Sequence, residues 1–381
     1  MNYRLDQLFK LQMGKTPARA NLEYWNGTKK WVSISDLSGY DKYVADTKEC
    51  ISDLGVSESG IKVVPKDTVI MSFKLSIGKT AITTEDVYTN EAIMAFIDKG
   101  VCEIDTDYLY YLFSGMDWYN GTNKAVLGLT LNKATLSKKE IDIPDLHTQN
   151  EVVKKLDSLS KLIQLQKQSI DKLDELVKSR FVEMFGDWLI NPNKYNIEAL
   201  DKHIDVLSGF PFDSSLYVDD GINICGGLII MPHYINWNEC KHWKTTLGYE
   251  DYLLREDDIV MALDRPWIGD GFKIAKIDKT HLPALLIQRT ARIRSIDINQ
   301  EYLYYCFDNC GFYNHCNITG SLVPHISLKD IKSFEVMIPP IKLQNQFADF
   351  VAKVEQQKAT IQKSIDKLET LKKSLMQEYF G

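Results

Sequence analysis

The segment SIDKLDELVKSRFVEMFG at residues 169–186 returns as SIDKLETLKKSLMQEYFG at residues 364–381, 195 positions later. A repeat of this length constrains the fold more than any local motif, because it makes the chain two copies of one unit. The same offset pairs Ile143-Pro144 with Ile338-Pro339 and Gln149-Asn150 with Gln344-Asn345. At an offset of 194, DYLYYLF (Asp107 to Phe113) matches EYLYYCF (Glu301 to Phe307). KDTVIMSF (Lys66 to Phe73) is similar to EDDIVMAL (Glu256 to Leu263), and Ile-Gly follows each, at Ile77-Gly78 and Ile268-Gly269. Each half is therefore a diverged globular block followed by a helix that has kept its sequence.

The period of those helices is that of a coiled coil. In the first, Leu156, Ile163, Ile170, Val177 and Met184 fall seven apart, with Leu159 and Leu173 three after their neighbours. In the second, Val351, Ile365 and Tyr379 hold one seam position, and Val354, Ile361, Leu368 and Leu375 hold the other. A heptad seam sustained over several turns predicts helix–helix pairing. Gln166, Arg180, Lys358 and Lys372 interrupt it, and Gln166 and Lys358 are expected to face partner proteins. Pro144 and Pro339-Pro340 bar an earlier start, and Thr148 to Glu151 reads as a capping box. About 36 residues give a rod of roughly 54 Å. Two near-identical helices suit an antiparallel pair with one block at each end; the alternative is that each packs only onto its own block.

The blocks read as mixed α and β. Strands are expected at Thr68 to Phe73, Ala92 to Ile97, Ile259 to Leu263 and Ala291 to Ile296, and short helices at Tyr108 to Phe113 and Tyr302 to Phe307. Arg292 and Arg294 alternate with apolar residues and are expected to face outward. The expected class is α+β, with blocks at 1–145 and 188–340 and helices at 146–187 and 341–381.

Nothing in the chain announces catalysis. Gly14-Lys15-Thr16 and Gly78-Lys79-Thr80 lack the earlier glycine of a phosphate loop, which Phe9 and Phe73 replace. Cys306, Cys310, His315 and Cys316 stand at ligand-like spacing, but Cys306 and Cys310 correspond to Leu112 and Met116, so a core face is favoured over zinc. No hydrolase elbow, zinc-protease helix or dinucleotide fingerprint is present. No catalytic residue and no metal site is therefore expected. Seven cysteines without framework spacing suit a reducing cytosol. No run of about 18 apolar residues predicts a membrane span, and the opening MNYRLDQLFKLQMG lacks a secretion-signal layout.

Taken together, the Ile-Pro steps, the Gln-Asn helix openings, the twin Ser-Ile-Asp-Lys-Leu segments and the openings WVSISDLSGY (Trp31 to Tyr40) and VLSGFPF (Val206 to Phe212) resemble the specificity subunits of Type I restriction-modification systems. The resemblance covers essentially the whole chain. It departs at the helix openings, where the family usually has Glu-Gln. It implies a non-catalytic adaptor with two target recognition domains, each reading one half of a bipartite, asymmetric site in double-stranded DNA. It also implies that the helices dock two modification subunits, which use S-adenosylmethionine, and that restriction subunits join with ATP and Mg. A rod of ~54 Å suits half-sites about one to one and a half helical turns apart.

DNA recognition needs side chains that reach base edges and cations that hold phosphates. The candidates are Lys15, Arg19, Lys29, Lys30, Lys74, Ser76 and Lys79 in the first block, the last three within the segment Lys74 to Lys79. In the second they are Lys241, His242, Lys244, Arg265, Trp267, Lys273 and Arg289. Lys74 to Lys79 and Arg265 to Trp267 follow matched strands yet differ in chemistry, as specificity loops should. For the helix pair and its partners the candidates are Leu156, Ile163, Ile170, Leu173, Val177, Val354, Ile361, Ile365, Leu368 and Leu375. Charge argues the other way: the net charge is −7, residues 1–140 hold 17 Lys and Arg against 18 Asp and Glu, and residues 191–340 hold 14 against 20. Weak unaided binding to DNA is the expectation.

Overall fold

The computed structural model describes residues 1–74, 76–118, 131–187, 190–269, 271–308, 310–316 and 324–381, with residue 310 described in its backbone only. It divides into two units, Met1–Gln168 with Gln362–Gly381, and Ser169–Ile361.

In the first unit, the β-rich runs 69–72 and 93–98 become central strands of a four-stranded antiparallel sheet. Its order is β2 (Phe9–Met13), β8 (Ile93–Asp98), β5 (Val69–Ser72), β6 (Thr80–Ile82). A three-stranded sheet joins β3 (Lys29–Val32) to β4 (Glu49–Ile51) antiparallel and to β7 (Tyr88–Thr89) parallel. Strand β1 (Asn2–Arg4) pairs with β9 (Glu140–Asp142), just before the first long helix. The aromatic helix α1 (Thr106–Gly115) buries Tyr108, Leu109, Tyr111, Leu112 and Phe113.

The second unit repeats this plan. After β10 (Asn196–Ala199), its four-stranded sheet runs β11 (Ile204–Ser208), β17 (Thr290–Ser295), β14 (Ile259–Ala262), β15 (Ile274–Lys276). Its three-stranded sheet sets β12 (Ile222–Cys225) antiparallel to β13 (Lys241–Trp243) and parallel to β16 (Ala284–Leu286). β10 pairs with β18 (Glu335–Ile338), and α3 (Gln300–Phe307) replaces α1. The likeness reaches single residues. Asp67 and Asp257, each leading into a central strand, both adopt a left-handed backbone, at φ 56° and 64°. Asp tolerates that region better than most L-residues.

The two long helices, α2 (Leu146–Phe185) and α4 (Ile341–Phe380), have 40 residues each. The helix α2 opens three residues before the expected capping box. Asp145 caps it, its Oδ1 accepting from the Thr148 amide at 2.9 Å. The copied glutamines have a different task. Gln149 is fully buried; its Oε1 accepts from the Asp105 amide and its Nε2 donates to the Glu103 and Pro144 carbonyls. Gln344 does the same with the Asn299 amide and the Pro339 carbonyl. Each glutamine thus ties the long helix to the N-terminus of the aromatic helix. Losing it would leave buried backbone groups unpaired at about 1–3 kcal/mol each.

Within each unit the helix segments run antiparallel and pack on the globular block as well as on each other. In the first unit, Lys155 meets Tyr379 at 3.4 Å, Gln166 meets Ser364 at 2.9 Å and Lys167 meets Glu369 at 2.9 Å. Val152 and Leu156 join Leu375, Met376, Tyr379 and Phe380 in the core around α1, with Phe380 edge-on to Tyr108 at 5.6 Å. In the second unit, Phe181, Phe185, Phe347, Val351 and Val354 close the core around α3. Within each unit the helices therefore pair with each other and also close the core of the globular block, so the reading in which each packs only onto its own block is corrected.

The polar interruptions of the seam sit inside it. Gln166 spans the pair, and Lys358 is held by Asp174 at 2.7 Å and Glu355 at 3.0 Å. Burial opposes the Lys358 charge, but these ion pairs outweigh it and raise its pKa. The expectation that Gln166 and Lys358 face partner proteins is thus corrected. Gln can satisfy its amide across the pair, and Lys can reach a carboxylate on the facing helix. In the first unit, burial lowers the pKa of Lys372.

Candidate nucleic-acid interface

In the first unit, the loop between β5 and β6 is knotted at its base. Ser72 accepts the Lys79 amide on its hydroxyl at 3.1 Å and the Gly78 amide on its carbonyl at 3.0 Å. Gly78 is left-handed, at φ +88°, and a Cβ there would stand 3.3 Å from the Trp118 ring, so glycine suits this turn. Within the loop, Lys74 is half-buried with its ammonium 5.3 Å from the Phe73 ring, and Ser76 and Lys79 are exposed. Leu75 lies outside the described residues. Neither lysine meets a carboxylate among the described residues.

The other first-unit candidates divide. Lys15 is exposed and donates to the Ser59 carbonyl. Its backbone amide is spent on Thr89 at 2.8 Å, and Gly14 is packed tightly on Thr89, so the Gly14-Lys15-Thr16 amides do not form a phosphate cradle. Arg19 pairs with Glu49 and lies 3.8 Å over the Trp25 ring. Lys29 pairs with Asp53 at 3.1 Å, and Lys30 with Glu85 at 2.8 Å and Asp46 at 3.2 Å. Such surface pairs are weak and yield to competing anions.

In the second unit, Lys241 and Lys244 are exposed on and just after β13, without an ion pair among the described residues, and His242 is half-buried between them. The remaining candidates converge on the loop that follows β14. Asp264 is the centre: one carboxylate oxygen takes Arg289 at 2.9 Å and the other takes His325 at 2.7 Å. Backbone bonds fix the frame, from the Leu263 amide to the Arg289 carbonyl (2.9 Å), Arg265 to Pro324 (2.8 Å) and Ile326 to Leu263 (3.0 Å). Arg265 and Arg289 are exposed with left-handed backbones. Trp267 is half-buried, stacked on Phe272 at 5.0 Å and edge-on to Tyr313 at 4.8 Å.

Three residues depart from expectation. Lys273 is 5% exposed and its ammonium donates to the Gly227 carbonyl. Burial, then the charge of Arg265, lowers its pKa. It braces the loop from beneath instead of reaching outward. Arg292 and Arg294 do not face freely outward from β17. Arg292 is buried and held by Asp205, while Arg294 grips Asp258 through two bonds of 2.5 and 2.7 Å. On their face of the sheet, Arg294 also donates to the Leu253 carbonyl at 3.1 Å, and both arginines line a cavity with the 250–255 segment, which alternation alone does not reveal. Asp264 and His325 escaped the sequence reading, since His325 lies 61 residues from its partner.

The cysteine cluster is largely core. Cys306 is on the buried face of α3, and burial pushes its thiol up to about 12. Burial, then Asp330, pushes Cys316 up to about 12. Metal-ligating thiolates need the opposite shift. His315 bonds the Asp330 carbonyl and Ser333 hydroxyl, both at 3.1 Å. The side chain of Cys310 lies outside the described residues. Among the described residues, no three His, Cys, Asp or Glu side chains gather as a metal site.

The helix-pair candidates are inward. Leu156 and Leu375 belong to the first unit's core, Ile163 and Ile365 are buried, and Ile170 and Leu368 are half-buried. Leu173, Val177 and Val354 belong to the second unit's core, and Ile361 shares a groove with Leu173, Leu176 and Thr360. Off the seam, Leu162, Leu165 and Leu371 in the first unit and Leu176 and Val182 in the second are about half exposed. Their sequence signal was leucine and valine at positions the heptad does not require. No helix among the described residues is long and apolar enough to cross a membrane.

Residues 1–175 and 236–370 match a family model described as the Type I restriction modification DNA specificity domain. The chain is 25% identical over 394 residues to the Type I restriction enzyme MjaIX specificity subunit of Methanocaldococcus jannaschii, covering 95% of this chain and 88% of that protein. It is 21% identical over 392 residues to the MjaVIII specificity subunit of the same organism, covering 93% and 89%. A solved structure from work on complex assembly and conformational transition of the type I R-M system is similar in fold. Its TM-score is 0.60 at 15% identity, over 100% of this chain and 97% of that one.

Proposed function

Because the chain belongs to the Type I restriction-modification DNA specificity family, we propose that its two target recognition domains read the two halves of an interrupted, asymmetric site in duplex DNA. The observation that carries this reading is the pair of loops after equivalent central strands, at 73–79 and 263–273. The strand order around them is the same in both units, while one loop offers two lysines and the other offers Arg265 and Asp264, the latter paired with Arg289 and His325 from neighbouring segments. A common frame with exchanged loop chemistry is what reading two different half-sites requires, since base edges differ and backbone geometry does not. Lys15, Lys74 and Lys79, with Lys241, Lys244 and Arg265, are the cations left to hold phosphates. The weak ion pairs of Arg19, Lys29 and Lys30 would exchange for phosphate.

The chain is a specificity subunit and supplies recognition without catalysis. Two modification subunits would dock on the helices, and the half-exposed leucines off the seam support that role. S-adenosylmethionine would be used by those subunits, and ATP and Mg by restriction subunits joining the complex. The setting is the cytoplasm, where cellular DNA and reduced cysteines coincide.

The acidic second block sets a limit on affinity. We expect the chain alone to bind its duplex in the range of non-specific binding, about 10⁻⁴–10⁻⁶ M, and to weaken steeply with salt. Adding the modification subunits should tighten binding at least about tenfold, as their cations complete the phosphate contacts. Fluorescence anisotropy with and without those subunits, across a salt series, reads this directly. Tight binding by the chain alone that resists salt would contradict it.

A further inference from the structure

We infer that Arg289 reads a guanine in the half-site of the second unit, with Asp264 and His325 as its positioning residues; this rests on the recognition function proposed above. The argument begins with orientation. A long cation that only meets phosphate gains little from being held, because phosphate accepts from many directions. Arg289 is held. Its Nη1 forms an ion pair with one oxygen of Asp264 at 2.9 Å, while His325 Nδ1 donates a hydrogen bond to the other at 2.7 Å. The hydrogen bond from His325 orients the carboxylate toward Arg289. The Asp264 backbone is locked to the Arg289 carbonyl through Leu263 and to the His325 segment through Arg265 and Ile326.

The guanidinium itself stays in solvent, with the Arg289 side chain 72% exposed against 23% for Asp264. The ion pair engages Nη1, and the exposed remainder of the guanidinium is available to a base as a fork. Guanine presents two acceptors, O6 and N7, to such a fork in the major groove; adenine replaces one of them with a donor. Asp264 also offsets part of the arginine charge, which lessens the pull toward phosphate relative to the bases. A pre-set fork loses less side-chain freedom on binding than a mobile one.

The equivalent places in the first unit support assignment to sequence reading. Lys74 stands where Asp264 stands, and Ala92, whose carbonyl takes the Phe73 amide at 3.0 Å, stands where Arg289 stands. The frame is common and the buttressed arginine is not. A residue needed only for folding the frame would be expected in both.

The test uses the complex of this chain with its modification subunits and duplexes carrying the mapped methylation motif. Each guanine of the second half-site is replaced in turn by 7-deazaguanine, which lacks the N7 acceptor. For the wild type, one such replacement should lower the methylation rate roughly 10- to 100-fold. In Arg289→Ala, and in Arg289→Lys, which keeps the charge but not the fork, that position should become indifferent while the other guanines keep their effect. Asp264→Asn should weaken the same position alone. Arg289→Lys and Asp264→Asn keep side-chain size close, so their discrimination can be read at matched thermal stability. Two results overturn the inference: variants weakened uniformly at every position, with a shallower salt slope, as for a phosphate contact; or variants with unchanged positional sensitivity. A wild-type complex indifferent to every base of the second half-site overturns the recognition reading itself, and the inference with it.

Discussion

Replacing Phe347 with alanine is expected to destabilise the second unit by about 3–5 kcal/mol. The ring is fully buried and sits within 5.2–5.5 Å of the rings of Phe181, Phe185 and Tyr305. It is the point where both long helices and α3 share one core. The first unit has Val152 at the corresponding place, also buried, so the effect there should be smaller, nearer the cost of losing a few methyl groups. For a unit of this size each kcal/mol lowers the melting temperature by about 2–4 °C. The second unit should therefore melt at least about 6 °C lower. Thermal denaturation followed by circular dichroism checks this, and a shift below about 2 °C would mean the helices do not close that core.

The second large effect concerns the sites read. Exchanging residues 188–340 for the matching segment of another family member should change one half of the methylated motif and leave the other half intact. The reason lies in how each half is built. The recognition loop hangs from the sheet of its own unit, and Gln149 and Gln344 anchor each block to a helix by the same backbone bonds. An exchange that keeps Gln344 keeps the anchor. Sequencing of methylated DNA from cells carrying the exchanged chain reads the outcome. A motif changed in both halves would show that the two domains do not read independently.

Much of the fold was legible because repetition and period survive divergence. The matched KDTVIMSF and EDDIVMAL runs mark the equivalent strands β5 and β14, and the heptads locate the seam residue by residue, polar members included. What the heptad could not tell was that Gln166 and Lys358 find partners across the pair, since hydrophobicity scores them as breaks. The copied glutamines were read as part of a helix opening; their bonds to Asp105 and Asn299 depend on chain segments about 45 residues away. The candidate site was legible only as charge. Arg265, Trp267 and Arg289 were singled out, but their organiser, Asp264, is an acid in a search for bases. Lys273 was chosen for its charge, and only packing reveals that it points inward.

The central claim is that one chain reads two separate half-sites, and a single map tests it most directly. Adenine methylation is mapped by long-read sequencing in cells that carry this chain with its modification subunits. The account predicts one interrupted motif with two different specified halves and a fixed unspecified gap. A continuous palindromic motif would contradict it.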